Sequence, residues 1–301
     1  MNGTKQSSQN FFSKNPGYWN SRLLIGSPMT GLVRSEWVAA RYNQLIPTNW
    51  SHAEITQWMS SHIPLQYQVA DAENIIAKNF VAGSWEWLLF IESDNVLPPA
   101  TFVALNEYMI LGEVPIVGGL YFTKSVPPEP MIYRELGKGY YADWKLGDKV
   151  WCSGLPFGCT LIHGSIIKEL WKVAPEYKIG NEVVRRVFKA PSDTLTDGFG
   201  MGVITGTSDL NFCKEIKEND IFKKAGWPEF AKKEHPFLVD TRIFVKHIDN
   251  DGIQWPISLP EPFLRGEKTL AQCLSANSTW KPQKPSETSK EFREWKQKNK
   301  V

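Results

Sequence analysis

The sequence predicts an α/β protein: a mostly parallel central sheet flanked by helices, with a small antiparallel or loop-rich insertion. Apolar runs of strand length alternate with amphipathic stretches over residues 21–123. The strongest run, WEWLLFIE, stops at Glu92-Ser93-Asp94 and is followed by two prolines and a helical pattern. Hydrophobic residues make up 42% and charged residues 22% of the 301, the composition of an ordinary packed core.

Residues 1–20 are polar and read as a flexible arm. A buried strand over Leu23–Gly26 leads into a loop containing Pro28 and Gly31. SEWVAARYNQLI reads as an amphipathic helix with Trp37, Val38, Ala40, Leu45 and Ile46 on its apolar side. A short strand is expected around Gln66–Val69, then a helix capped by Asp71 and stopped at Gly83. PPATFVALNEYMILG reads as a helix with proline in its first turn and glycine at its end, and VPIVGGLYF as the next strand. Residues 124–158, rich in proline, glycine and aromatics, form the expected insertion, with strand-like pieces PMIYRE and KGYYAD. GCTLIHGSIIKELWKV returns to a strand and a helix. TSDLNFCKEIKEN is a helix capped by Thr207, Ser208 or Asp209, and FLVDTRIFVKHID is one long strand. One domain over 21–274 is expected, with halves at 21–123 and 124–252, and a polar tail over 275–301.

A net charge of +2 offers no electrostatic case for bulk nucleic-acid or membrane binding. None of the four cysteines forms a CxxC pair, which argues against a zinc knuckle or a thioredoxin-type site. The opening segment lacks the apolar core of a signal peptide and no apolar run reaches membrane-span length. A cytoplasmic location with reduced, buried thiols is expected. The 13 tryptophans, Trp151 and Trp255 among them, serve core filling or ring stacking.

In open α/β sheets ligands bind beyond the carboxyl ends of the strands, where Glu92 and Asp94 stand. Two neighbouring carboxylates repel, and a hard divalent cation relieves that; diphosphate oxygens are its natural further ligands. The bland reading is a surface turn with Asp94 capping the next helix.

The region resembles the nucleotide-sugar-binding half of the GT-A glycosyltransferases, whose sheet is Rossmann-like, and most of all the family-2 type with its short bacterial and phage versions. Glu92-Ser93-Asp94 is similar to the DXD motif of that family, with Glu in first place. The resemblance implies that LLIGSPMTG holds the nucleotide through Ser27, Pro28 and Thr30. DAENIIAKNF lies where relatives carry an ARN helix; Glu73 stands at the Arg position, leaving Asn74 and Lys78 for phosphate or ribose. GLPFGCTLIHGSII resembles the segment lining the acceptor side, GTSDLNFC resembles the SEDVYFC signature with Asp209 at its Asp, and FVKHID resembles the strand whose His247 closes the metal site.

The resemblance thus implies a metal-dependent, hexosyltransferase-type glycosyltransferase. Its Mn2+ or Mg2+ would be held by Asp94, His247 and Glu92, and its donor, a nucleotide-diphosphate sugar, would contact Ser27, Pro28, Thr30, Asn74, Lys78, Glu92, Ser93 and Asp94. Asp209 would be the base, with inversion, and the acceptor a glycan, a protein or a modified nucleobase. Other readings stay open at this point. Asp209 can be a helix cap, His163 a structural residue, and Asp249 with Asp251 a metal-binding cluster without His247. A non-catalytic nucleotide- or carbohydrate-binding protein uses the same fold. A sugar-phosphate nucleotidylyltransferase needs a glycine-rich basic loop after the first strand, and GSPMTGLVR is poor in both glycine and lysine.

Overall fold

The computed structural model describes residues 23–29, 31–50, 63–83, 85–125, 127–135, 139–190, 192–197, 200–205 and 207–276. The expected arm at 1–20, Thr30, and residues 277–301 of the expected tail lie outside the described residues.

The chain runs through β1 (Leu23–Gly26), α1 (Ser35–Tyr42), α2 (Val69–Ala82), β2 (Trp87–Ile91), β3 (Asn95–Val96), α3 (Thr101–Leu111) and β4 (Ile116–Leu120). It continues with β5 (Lys149–Cys152), β6 (Cys159–His163), α4 (Gly164–Val173), and the hairpins β7 (Glu176–Ile179) with β8 (Glu182–Arg185) and β9 (Ser192–Asp197) with β10 (Gly200–Thr205). Then come α5 (Ser208–Glu218), α6 (Ile221–Lys224), α7 (Pro228–Ala231), β11 (Phe237–Phe244), β12 (Lys246–Ile248), β13 (Gln254–Trp255), α8 (Glu261–Leu264) and α9 (Leu270–Ala276). No helix among the described residues is long and apolar enough to cross a membrane.

Six strands make the central sheet in the order β1-β2-β6-β4-β11-β5. β1 and β2 pair parallel, as do β4 and β11. β6 runs antiparallel to both of its neighbours, and β5 runs antiparallel to β11. Four strands therefore share one direction and two, β6 and β5, oppose it: the mostly parallel sheet that the sequence suggested, with two strands reversed. An apolar run announces a strand but carries no direction. β6 starts at the carboxyl end of β2, where the Glu92 N–H donates to the Gly158 carbonyl.

Both faces of the sheet are covered, which explains why β2 reads as an unbroken apolar run. Leu88 and Phe90 face a core shared with Ile76, Ala77 and Phe80 of α2 and Ile166, Ile167 and Leu170 of α4. Trp87, Leu89 and Ile91 point the other way, into a core with Phe102, Leu105, Tyr108 and Met109 of α3. Each such side chain contributes about 1.5–3 kcal/mol by leaving water.

Several element ends differ from expectation. α1 stops at Tyr42, leaving Leu45 and Ile46 exposed, and buries Trp37 and Arg41 instead. α2 begins at Val69 with Gln68 as its cap; Asp71 sits in the first turn, and Gln66 has a positive φ of 64° where a strand was expected. Pro98 and Pro99 precede the Ala100 cap of α3 instead of opening the helix; the Thr101 hydroxyl donates to the Pro98 carbonyl, and Gly112 closes the helix at φ 62°. Within 124–158, PMIYRE and KGYYAD form no strands, only isolated bridges at Pro130 and Tyr133, whereas β5 joins the main sheet as an edge. The residues expected to start the tail, Ser275 and Ala276, belong to α9.

The long strand at the end of the sheet breaks in two, and this break builds the site. The register between β11 and β4 shifts between Asp240 and Phe244. Asp240 is wholly buried; its carboxylate accepts from the Arg242 backbone N–H and guanidinium and from the Tyr108 hydroxyl at 2.8 Å. Those bonds fix the bulge. Beyond it the chain leaves the main sheet, and β12 pairs with β3 and β13 in a three-stranded sheet.

Candidate functional site

In that small sheet His247 lies opposite Asn95, and the Ile248 N–H donates to the Asp94 carbonyl at 2.7 Å. The acidic end of β2 and the histidine are thereby joined by main-chain pairing, although 153 positions separate Asp94 from His247 (247 − 94). His247 was expected at the carboxyl end of one long strand shared with the main sheet. It stands instead in a second strand beyond the bulge.

One ligand atom from each of Glu92, Asp94 and His247 falls within 4.8 Å of the others. Two ligands on opposite sides of a magnesium-sized ion lie about 4.2 Å apart, so a small rotamer adjustment closes this group on a cation. The histidine is oriented for it. The Phe122 carbonyl can only accept, so the Nδ1 atom 2.9 Å away carries the hydrogen and Nε2 is left facing the acids. Nε2 lies 3.3 Å from Asp94 Oδ2, and two lone-pair atoms at that distance require a proton or a cation between them. The buried Tyr121 ring packs edge-on against the imidazole at 5.3 Å. The two carboxylates suit manganese or magnesium, and the imidazole, though less well suited, is an adequate third ligand for manganese, so the donor set fits a divalent ion.

The remaining contacts position the acids. Asn95 donates to Asp94 Oδ1 at 3.2 Å and, at 3.4 Å, to Glu92 Oε2. The Trp37 indole of α1 donates to the Glu92 carbonyl, and the Lys124 ammonium sits 2.6 Å from Asp94 Oδ2. Burial, then the Asp94 and Asp209 charges, push the Glu92 carboxyl up to about 8. Burial acts on Asp94 in the same sense, but its His247 and Lys124 partners outweigh it and hold it at about 2. A Cβ at Gly158 would come 2.6 Å from both the Asn95 amide and the Tyr121 ring. Gly158→Ala is therefore expected to displace Asn95 or Tyr121 and to lower the melting temperature by about 2–8 °C, read by thermal denaturation.

Glu92, Asp94 and Lys124 line a cleft of about 270 Å3 bounded also by Pro28, Arg34, Tyr67 and Asp249, whereas His247 reaches its edge only through Asp94. Of the expected donor contacts, Pro28, Glu92, Ser93 and Asp94 line it. Ser27 does not: it is 1% exposed and its hydroxyl accepts from the buried Arg41 at 2.9 Å. Asn74 and Lys78 do not either. Asn74 donates to the Tyr177 hydroxyl and the Phe188 carbonyl and accepts from the Phe188 N–H, while Lys78 pairs with Glu182, so both serve the packing of α2 against the β7–β8 region. Asp249 Oδ1 accepts from the N–H groups of Asp251 and Ile253, and its Oδ2 from the Trp255 indole at 3.4 Å. His163 accepts from the Ser165 N–H at the start of α4, a structural role. Trp255 is buried and the Trp151 ring carries the Lys233 ammonium at 3.8 Å.

Asp209 lies just inside α5, whose cap position is Thr207, and its Oδ1 accepts from the Leu210 N–H at 2.7 Å. It is 9% exposed, and burial raises its carboxyl against the pull of its hydrogen bonds. It does not line the cleft with Asp94; Glu92, which does, feels its charge.

Lys124 had no counterpart in the sequence reading, and Glu73 figured there only as the residue in an arginine's place. Lys124 follows the carboxyl end of β4, and strand-end position was the signal available for it. Glu73 is 1% exposed; its Oε2 has no hydrogen-bond partner, and Ser208 serves the other side of the carboxyl. Burial raises Glu73 well above the usual carboxylate range, and Glu92 and Asp209 add to this. In the folded chain Glu73 keeps its proton to a higher pH than in the unfolded chain. Stability linked to that proton is full below the ordinary carboxyl range and is lost as pH rises towards the folded value. Glu73→Gln should thus match the wild type in thermal melts at pH 4 and exceed it by at least about 3 °C at pH 8. An equal gain at both pH values would rule out ionisation as the cause.

No family model matches the chain, and no curated protein sequence matches it. Among solved structures it is similar to the crystal structure of A197 from STIV, at 14% identity and a TM-score of 0.47, over 78% of this chain and 90% of that one. At that level the likeness carries no functional conclusion.

Proposed function

We propose that this protein is a metal-dependent glycosyltransferase of the GT-A type, moving a sugar from a nucleotide-diphosphate donor to an acceptor hydroxyl. The observation that supports this reading above the rest is the meeting of Glu92, Asp94 and His247, from two distant parts of the chain, with ligand atoms within 4.8 Å of one another, beside a cleft that Glu92 and Asp94 line. A turn or a helix cap needs none of this: it does not require a histidine whose Nδ1 is tied to a carbonyl so that Nε2 faces a carboxylate.

Asp94, His247 and Glu92 would hold Mn2+ or Mg2+. Such an ion supplies a Lewis acid for the negative charge that builds on the departing diphosphate. Pro28 and Ser93 would border the donor. Asp209 would take the acceptor hydroxyl proton as the acceptor oxygen bonds to the anomeric carbon and the bond from that carbon to the phosphate oxygen breaks, its electron pair leaving with the diphosphate. Burial makes Asp209 a stronger base than an exposed carboxylate. In-line attack of this kind inverts the anomeric centre.

The test is a panel of UDP-, GDP- and TDP-sugars, each titrated with and without Mn2+ and then assayed for release of the nucleoside diphosphate. Metal-dependent binding of at least one donor, with turnover, is expected. Binding without turnover for any acceptor class would leave a nucleotide-sugar-binding protein, and no binding to any donor would overturn the reading.

A further inference from the structure

Lys124 lines the cleft, and its ammonium rests on the same Asp94 oxygen, Oδ2, that faces His247 Nε2. One carboxylate oxygen thus serves as partner to a fixed cation of the protein and to the imidazole of the candidate metal group. The loop carrying Lys124 is held by its neighbours: Thr123 Oγ lies 2.6 Å from Ser125 Oγ, the Thr123 N–H donates to the Glu129 carbonyl, and the Glu129 N–H donates back to the Thr123 hydroxyl. The backbone of Lys124 is therefore set, while its four-carbon stem is free to swing. Its side chain is 30% exposed, open to the cleft.

A divalent ion on Asp94 repels the ammonium on Oδ2 and competes with it for the negative charge of the same carboxylate. That weakens the ion pair, and an anion in the cleft that Lys124 lines offers the ammonium a new partner. We propose, resting on the reading of the cleft as a metal and diphosphate site, that Lys124 is an exchangeable counter-ion. It neutralises Asp94 while the cleft is empty of cation, and it turns onto the diphosphate of the donor when Asp94 binds one. The exchange makes metal binding alone weak and couples it to arrival of the anion, since each frees a partner for the other.

The proposal predicts effects of opposite sign from one substitution. Lys124→Met removes the competitor, so Mn2+ alone, followed by electron paramagnetic resonance, should bind more tightly than in the wild type, by about fivefold or more, as expected for a removed charge partner near a surface. The same variant in saturating Mn2+ should bind uridine or guanosine diphosphate at least about tenfold more weakly, the worth of a lost charge-assisted hydrogen bond. Lys124→Arg keeps a cation and should stay near the wild type in both titrations, and thermal melts check that all three proteins are folded. Unchanged or weaker Mn2+ binding by Lys124→Met overturns the proposal while leaving the metal site standing. Tighter Mn2+ binding with unchanged diphosphate binding overturns it too, reducing Lys124 to a plain partner of Asp94. A wild-type protein that binds neither Mn2+ nor either diphosphate removes the site reading itself, and the proposal with it.

Discussion

Asp209→Asn is expected to lower turnover by about 10²–10⁴-fold while donor binding stays within a few fold of the wild type. Asparagine has the shape and the acceptor oxygen to keep the Leu210 N–H bond, but it cannot take up a proton. The structural alternative makes a different prediction. If Asp209 only served the start of α5, the substitution would cost at most about 1 kcal/mol of stability and leave turnover alone. Thr207 holds the cap position without a side-chain cap hydrogen bond, so the bond from the Leu210 N–H gives Asp209 a part in the helix start as well, and rates beside melts separate the two roles. The carboxyl is also 9% exposed and raised by burial, so removing its charge should leave the melting temperature unchanged or slightly higher at neutral pH. Loss of activity without loss of stability marks a group kept for chemistry at some cost to the fold. Initial rates beside thermal melts decide the matter; intact turnover in Asp209→Asn would remove the residue from the mechanism.

The fold was readable wherever burial imposed a simple pattern. β2 is buried on both faces, so its five residues are all apolar and its bounds stood out; β1 and β4 share that property. Helix ends were less readable, because a cap is a local hydrogen-bonding choice that several adjacent residues can make. Asp71 offered a better capping side chain than Gln68, yet α2 starts at Val69. β6 was found as a strand but its direction was not, since direction depends on the path of the connecting chain.

The site divided along the same line. Glu92, Asp94 and His247 were legible because chemistry-bearing side chains at strand ends are few. Why His247 reaches Asp94 was not legible. It depends on a bulge tied by Asp240, Arg242 and Tyr108, residues that form no local pattern. Asn74 and Lys78 were drawn to the site by position on α2, but the β7–β8 region occupies that face of the helix, and nothing local to α2 announces a partner 103 to 114 positions away. Glu73 on the same helix was set aside as a lost arginine. It is instead a buried acid among acids, which only the packing of α2 beside Ser208 reveals.

Asp94→Ala is expected to abolish Mn2+-dependent donor binding and to lower kcat/KM by at least about 10³-fold, since a charged ligand to a catalytic cation is worth several kcal/mol at the transition state. Asp94 stands at the centre of the group: Oδ2 meets both Lys124 and His247, and Oδ1 accepts from Asn95. Its carboxyl is held at about 2, so it is ionised throughout the working pH range and an ion need not displace a proton from it. Glu92, pushed up to about 8, is the poorer anchor at neutral pH and cannot replace Asp94. The fold should tolerate the change. The Asp94 side chain is 40% exposed, its ion pairs are screened by solvent, and the backbone pairing of β3 with β12 does not involve it. A melting temperature within about 3 °C of the wild type is therefore expected, corresponding to about 1 kcal/mol or less. His247→Ala supplies the graded comparison: it removes one neutral ligand, so the Mn2+ concentration for half-maximal activity should rise by about 10–100-fold while saturating metal restores part of the turnover. If Asp94→Ala instead turns over normally in saturating Mn2+, the cation is held elsewhere, and the meeting of Asp94 with His247 is a structural pairing of β3 with β12.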